Sequence, residues 1–223
     1  MTMQRNEFAA TVDHTYLKIH TGDGEVRRVC LEAEKYGFAS VAVFPAAVPL
    51  AASMLEGTGV GVCVALGFHL GTYPPELKAF ETKDAIENGA TEVDLVMNVA
   101  AAKAAEWDLM RREFDLFREA AGDCVAKIIL ETCLLSDDEK RRACEIAVEA
   151  GLDYVKTSTG YKKGATVPDV KLMHEAVAPK LKVKASGGIR TLDDALAMLE
   201  AGASRLGTSA GVALMSAFDE RYG

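Results

Sequence analysis

The stretch EAGLDYVKTS, residues 149–158, closes one structural element and opens another. A helix-like run ends at Gly151, and a glycine just past a helix end takes the left-handed conformation that closes it. A short apolar strand follows. The same phrase recurs as KYGFASVAVF (35–44), ENGATEVDLVM (87–97), AAGDCVAKIIL (120–130) and EAGASRLGTS (200–209). The helix-closing glycines Gly37, Gly89, Gly122, Gly151 and Gly202 are 52, 33, 29 and 51 residues apart. Each long gap holds one more unit: LEGTGVGVCVALGF (55–68) in the first, and APKLKVKASGG (178–188), with Pro179 as the helix stop, in the second. The period is thus about thirty residues, the size of a βα unit.

Helix starts agree with this punctuation. Ser136 and Glu139 form a capping box, Thr191 and Asp194 a shorter analogue, and Pro74-Pro75 can open a helix. Eight strands are expected, at about 11–16, 39–44, 60–67, 92–98, 125–131, 154–158, 181–186 and 204–208. They read as apolar on both faces, as in a parallel sheet covered by helices. Eight βα units predict an α/β fold of the (β/α)8 TIM barrel type, one domain spanning residues 1–223. The alternative, an open doubly wound sheet, lacks its phosphate-loop signature: GVGVCV (59–64) has no third glycine and lies inside a strand.

Composition bounds the function. The chain has 223 residues, 49% hydrophobic and 26% charged, with a net charge of −8. No apolar run approaches a membrane span, and the first residues have no signal-peptide core. Such an acidic chain without a concentrated basic run is not expected to bind nucleic acid. EKRR (139–142) reads as the solvated face of a helix. The five cysteines, 30, 63, 124, 133 and 144, form no CxxC pair, which predicts a reduced, cytoplasmic protein with no zinc site. The acidity sets one requirement: an anionic substrate needs backbone amides or a lysine to receive it.

In such a barrel the active site lies at the C-terminal ends of the strands. The polar residues there are Asp13, Asp94 with Asn98, Glu131, Lys156 with Ser158, and Lys184 with Ser186. A lysine in a buried strand needs a partner or must lose its proton. Lys156 and Lys184 fall on successive strands and are expected to face each other. Adjacent ammonium groups and burial both disfavour protonation, leaving a free amine suited to attack on a carbonyl. A structural ion pair is the competing reading of either lysine. Asp94 suits a salt bridge to a lysine and a general acid/base role at once.

The turns SGGIRT (186–191) and GTSAG (207–211) each precede a helix at the corner where these barrels bind phosphate. Gly187 and Gly188 allow close backbone approach and Ser209 adds a hydroxyl; Gly160 and Tyr161 border the same corner. The four histidines, 14, 20, 69 and 174, show no metal spacing, and His69 reads as a supporting residue. Trp107 and Phe114 read as core. Neither a Cys/His pair nor a GxSxG elbow is present.

Together, VDHTYLK (12–18), EVDLVMN (92–98), AKIILET (126–132), DYVKTSTGY (153–161), VKASGGIRT (183–191) and GASRLGTSAG (202–211) resemble the deoxyribose-phosphate aldolases, which are class I aldolases. The resemblance runs over nearly the whole chain. It implies reversible cleavage of 2-deoxy-D-ribose 5-phosphate to acetaldehyde and D-glyceraldehyde 3-phosphate, with no metal or organic cofactor. It implies Lys156 as the Schiff-base lysine, Lys184 as the second lysine and Asp94 as the proton-transfer acid. Asp13 belongs to the same polar network and is expected, with Thr15 and Thr159, among the residues that contact the substrate, and Gly160, Gly187, Gly188, Gly207 and Ser209 fall about the phosphate pocket. Two departures stand out. The family often reads GFPLG where this chain has GFHLG (67–71). Some members end in a tyrosine that reaches the site, whereas Tyr222 here is next to last on a short tail.

Two other functions fit a phosphate corner on a barrel: a sugar-phosphate isomerase, which needs only one carboxylate and one polarising group, and a non-catalytic phosphosugar-binding protein. The lysine pair favours the aldolase. Exposed apolar helix faces leave room for a homodimer.

Overall fold

The computed structural model describes residues 3–223. Among them, eight parallel strands close into a barrel in sequence order: β1 (Val12–Thr15), β2 (Ser40–Val43), β3 (Gly61–Leu66), β4 (Glu92–Val96), β5 (Val125–Ile129), β6 (Tyr154–Lys156), β7 (Lys182–Ser186) and β8 (Ala203–Thr208), which pairs back onto β1. The short helix α1 (Arg5–Ala9) precedes β1. The strands are followed in turn by α2 (Asp23–Tyr36), α3 (Val48–Leu55), α4 (Pro75–Glu87), the short α5 (Val99–Lys103) with α6 (Trp107–Ala121), α7 (Asp137–Glu149), α8 (Val167–Val177), α9 (Leu192–Glu200) and α10 (Gly211–Tyr222). All eight expected strands are present. β4, β5 and β6 stop two residues short of expectation, because the chain leaves the ladder there to build the mouth of the barrel.

Local signals act as read. Ser136 and Thr191 accept hydrogen bonds from Glu139 and Asp194 in reciprocal capping boxes, and Pro75 is the first residue of α4. Phe114 is buried in the core and Trp107 packs partly buried against it. EKRR departs from its solvated-face reading. Lys140 is buried and binds Asp169 at 2.6 Å and Asp137 at 3.0 Å, tying α7 to α8.

The two faces of the strands differ, contrary to the expectation that both are apolar. Alternate residues point to opposite sides of a strand. Val41, Val62, Val64, Val93, Leu95, Ile128, Val155, Val183 and Leu206 join the helices in one apolar core. The intervening residues include Asp13, Cys63, Glu92, Asp94, Lys127, Lys156, Lys184 and Arg205, and they meet inside the barrel. The charged interior is tolerated because every charge faces an opposite one at close range.

A second buried ion pair lies between helix and barrel. Lys78 of α4 binds Glu113 of α6 at 2.8 Å, both about 1% exposed, and donates to the Val96 carbonyl. Glu113 accepts the Asn98 N–H, and Glu81, one turn along α4, accepts the Gly67 N–H. Helix α4 thereby pins the chain where it leaves β3 and β4. Burial pushes the Lys78 amine down and the Glu113 carboxyl up, so desolvation offsets much of the mutual attraction. Removing one partner strands the other in apolar surroundings. Lys78→Met is therefore expected to cost about 3 kcal/mol, a drop of roughly 6–12 °C in melting temperature. Lys78→Met combined with Glu113→Leu is expected to recover part of that loss. Thermal denaturation of both variants measures it, and equal losses would show that the pair's charges do not matter.

Candidate active site

Asp94, in the middle of β4, is the centre of the barrel interior. Its Oδ2 accepts from Lys156 Nζ and Lys184 Nζ, each at 2.7 Å, and its Oδ1 lies 3.0 Å from Lys127 Nζ. β6 and β7 pair in a register that sets Lys156 opposite Lys184, which brings both ammonium stems to one carboxylate oxygen. Lys184 also lies 2.5 Å from Asp13 Oδ2, and Lys127 lies 2.5 Å from Glu92 Oε2. Arg205 joins Asp13 to Glu92, donating to each within 2.8 Å. Four cations thus meet three carboxylates.

The three lysines do not share this environment equally. Burial lowers the pKa of Lys156, and the Lys184 charge lowers it further against the pull of Asp94. Lys184 is as deeply buried, but Asp13 and Asp94 together outweigh its desolvation and hold it protonated. Lys127 is likewise held charged against burial by Asp94 and Glu92. Asp13 resists its own desolvation through Lys184, Lys127 and Arg205, which bring it down to about 2. The Cys63 thiol, desolvated and facing Asp94, is pushed up to about 12 and stays protonated. With all other groups ionised, the cluster becomes neutral when one lysine gives up its proton, and Lys156 is the one placed to do so.

Above this network lies a cavity of about 410 Å³ at the C-terminal mouth of the barrel. Lys156 lies on its floor. Thr15, Thr159, Gly160, Gly187, Gly188, Gly207 and Ser209 all line it. Asp94, Lys184 and Asp13 do not: they are at most 1% exposed and act from beneath the floor. Asp13, expected among the substrate contacts, serves instead as the ion partner of Lys184 and Arg205, because its strand position lies a layer too deep.

The wall is built by glycine packing and one strained residue. The turn after β7 meets the loop after β6 so closely that a Cβ on Gly164 would lie 2.1 Å from the Gly187 carbonyl oxygen. Glu131, at the end of β5, has a left-handed φ of 56°, rare for a non-glycine residue. That conformation turns its carboxylate to Thr159, whose Oγ1 donates at 2.5 Å and in turn accepts the Tyr161 N–H. The Tyr161 hydroxyl donates to the Leu17 carbonyl at 2.8 Å, and its ring stacks on His69 with centroids 4.6 Å apart. His69 therefore braces the wall and does not itself line the cavity. Tyr222 does not reach the mouth. It ends a twelve-residue helix, about 17 Å from the Gly211 end near the cavity, and packs on Phe218.

Several site residues went unnoticed in the sequence. Lys127 is a third lysine in an apolar strand, flagged by the same anomaly as the other two. Glu92 and Arg205 are charges at inward-alternating positions. Lys18, Arg28 and Arg190 line the cavity, and no strand pattern marks them because they sit on loops and a helix. They supply positive charge at the mouth of an otherwise acidic protein. Ligand atoms of Asp13, Cys63 and Glu92 lie within 4.8 Å of one another, a spacing that suits a metal. Lys127, Lys184 and Arg205 already occupy those carboxylates and the thiol is protonated, so this donor set does not suit a cation. Among the described residues no helix is long and apolar enough to cross a membrane.

Comparison with known proteins agrees with this geometry. A family model described as DeoC/LacD family aldolase matches residues 8–217. The chain is 54% identical over 209 residues to a deoxyribose-phosphate aldolase of Bacillus subtilis, covering 93% of this chain and 94% of that one. It is 52% identical over 206 residues to a deoxyribose-phosphate aldolase of Streptococcus suis, covering 92% and 94%. Among solved structures, a deoxyribose phosphate aldolase from Aeropyrum pernix, described as a unique tetrameric structure, matches with a TM-score of 0.91 at 33% identity, over 98% of this chain and 93% of that one. Orotidine 5'-phosphate decarboxylase from Pyrococcus horikoshii, at 15% identity and a TM-score of 0.67, shares the barrel alone. The chain belongs to the DeoC/LacD family of aldolases.

Proposed function

We propose that this single-domain barrel is a deoxyribose-phosphate aldolase, cleaving 2-deoxy-D-ribose 5-phosphate reversibly to acetaldehyde and D-glyceraldehyde 3-phosphate through a Schiff base on Lys156. The observation that carries the reading is the asymmetry of the lysines: one lines the cavity with a lowered pKa, while its neighbour is held charged beneath it. The isomerase alternative needs no such pair, and the relatives described above bear the aldolase name.

The amine of Lys156 adds to the C1 aldehyde, and loss of water leaves an iminium ion. The C3 hydroxyl gives up its proton, the C2–C3 bond breaks, and its electron pair flows into the iminium to form an enamine. D-glyceraldehyde 3-phosphate leaves, the enamine is protonated at C2, and water releases acetaldehyde and the free amine. Asp94 and Lys184, below the floor, hold and return the mobile proton, through Lys184 or a water admitted with the substrate. Charge on Lys184 supports the uncharged state of Lys156. The phosphate is received at Gly187, Gly188, Gly207 and Ser209, near the start of α10, with Lys18, Arg28 and Arg190 drawing the dianion in. The reading includes a homo-oligomer using the exposed Leu77 and Phe80 of α4, and a cytoplasmic setting, in keeping with five free cysteines.

Acetaldehyde with borohydride is expected to fix one ethyl group on the protein, on the peptide containing Lys156, with loss of activity. An ethyl group on Lys184 would reverse the two roles, and scattered labelling with activity retained would end the Schiff-base reading. Lys184→Leu is expected to lower kcat by at least about a hundredfold. Its remaining activity is expected to move to higher pH. Removing Lys184 deletes a like charge and leaves Asp94 with fewer cations to satisfy; both effects raise the Lys156 pKa, so the free amine appears only at higher pH. A pH–rate profile checks this, and an unmoved profile at near-normal rate would remove Lys184 from the mechanism.

A further inference from the structure

Ser186 ends β7 and lines the cavity, yet its hydroxyl has no partner. Its main chain is held firmly. The Ser186 N–H donates to Thr157 Oγ1 at 3.1 Å, and its carbonyl accepts the Ala165 N–H at 2.9 Å. Strand alternation puts the side chain on the inward side, in line with Lys184 and one layer nearer the mouth. Ser186 is 5% exposed, and a buried hydroxyl left without a partner is costly. Room for it is made on the adjoining strand β8, where Gly207 pairs with Ser186: a Cβ on Gly207 would lie 2.3 Å from Ser186 Oγ and 3.2 Å from Lys184 Cε. The missing side chain at 207 thus opens a niche for this hydroxyl beside the Lys184 stem.

Resting on the aldolase reading, we infer that Ser186 is a specificity-determining residue whose hydroxyl binds the C4 hydroxyl of the sugar phosphate, which becomes the 2-hydroxyl of the released aldehyde. C1 is fixed at Lys156, the C3 oxygen exchanges its proton with the Asp94–Lys184 pair, and the phosphate occupies the turns after β7 and β8. The C4 hydroxyl is the polar group left over. It falls between floor and phosphate corner, at the level of Ser186. Other hydroxyls nearby are already engaged or set apart. Thr159 Oγ1 is committed to Glu131 and the Tyr161 N–H, and Ser158 does not line the cavity. A site that hydrogen-bonds a substrate hydroxyl discriminates against the analogue lacking it.

The test runs the reaction in the joining direction with acetaldehyde, comparing D-glyceraldehyde 3-phosphate with 3-oxopropyl phosphate, which lacks only that hydroxyl. Ser186→Ala is expected to lose about tenfold in kcat/KM with the hydroxylated aldehyde and less than about twofold with the other. Ser186→Thr, which keeps a hydroxyl, is expected to restore part of the difference. Melting temperature and borohydride trapping of acetaldehyde are expected to match the parent enzyme. Equal losses on both aldehydes, or no loss on either, would overturn the assignment. Failure of the parent enzyme both to join acetaldehyde to either aldehyde and to be trapped by borohydride would instead overturn the aldolase reading, and the assignment with it.

Discussion

Burying charge inside a barrel is the constraint from which the rest of this structure follows. Four cations and three carboxylates share a space largely withdrawn from water, and such groups are stable there only if each finds a counter-charge at contact distance. Asp94 satisfies most of that demand. Three lysines converge on its two oxygens, while Asp13 and Glu92 satisfy what remains through Lys184, Lys127 and Arg205. The excess of one positive charge is not a flaw in the packing. It makes deprotonation of one lysine favourable, and exposure to the cavity decides which one. On the proposed Schiff-base reading, electrostatic balance by itself would produce the nucleophile, without a dedicated base touching Lys156 from outside the cluster.

The same constraint explains why Lys156 and the charged groups around it occupy different depths. Asp94, Lys184 and Asp13 lie beneath the floor, where low dielectric strengthens their mutual attraction and fixes their positions. Lys156 stands at the boundary, close enough to feel them and open enough to meet a carbonyl. The upper layer is built differently, from glycine turns, serine and threonine hydroxyls, and the strained Glu131 that aims Thr159. Charge is balanced below and the cavity wall is shaped above, and the strand alternation of β7, with Lys184 below Ser186, joins the two.

Outside the barrel, α4 connects the ends of β3 and β4 through Lys78, Glu81 and Glu113. These bonds hold the chain immediately after Asp94. The position of the central carboxylate therefore depends on a second buried ion pair on the other side of the sheet. Tyr161 ties the loop after β6 to the loop after β1, and His69 braces it by stacking. His69 stands where the family often has proline, so a flat ring here takes the place of a rigid turn residue in shaping that wall.

The repeat of closing glycine, apolar strand and capped helix is a short-range signal, and it determined the (β/α)8 barrel and the place of all eight strands. The lysines at 156 and 184 were legible because an ammonium in an apolar strand conflicts with its surroundings, and the glycine turns after β7 and β8 because of their composition. What the chain alone could not disclose is which groups meet. Lys156 and Lys184 reach Asp94 across 62 and 90 residues, and Arg205 reaches Asp13 across 192. Such partners are set by barrel closure and strand register, which no local period encodes. Tertiary structure alone therefore decided that Asp13 supports and does not touch the cavity, that Lys127 completes the cluster, that Lys140 is buried, that Tyr222 lies away from the mouth, and that the Ser186 hydroxyl is left without a partner in a niche opened by Gly207.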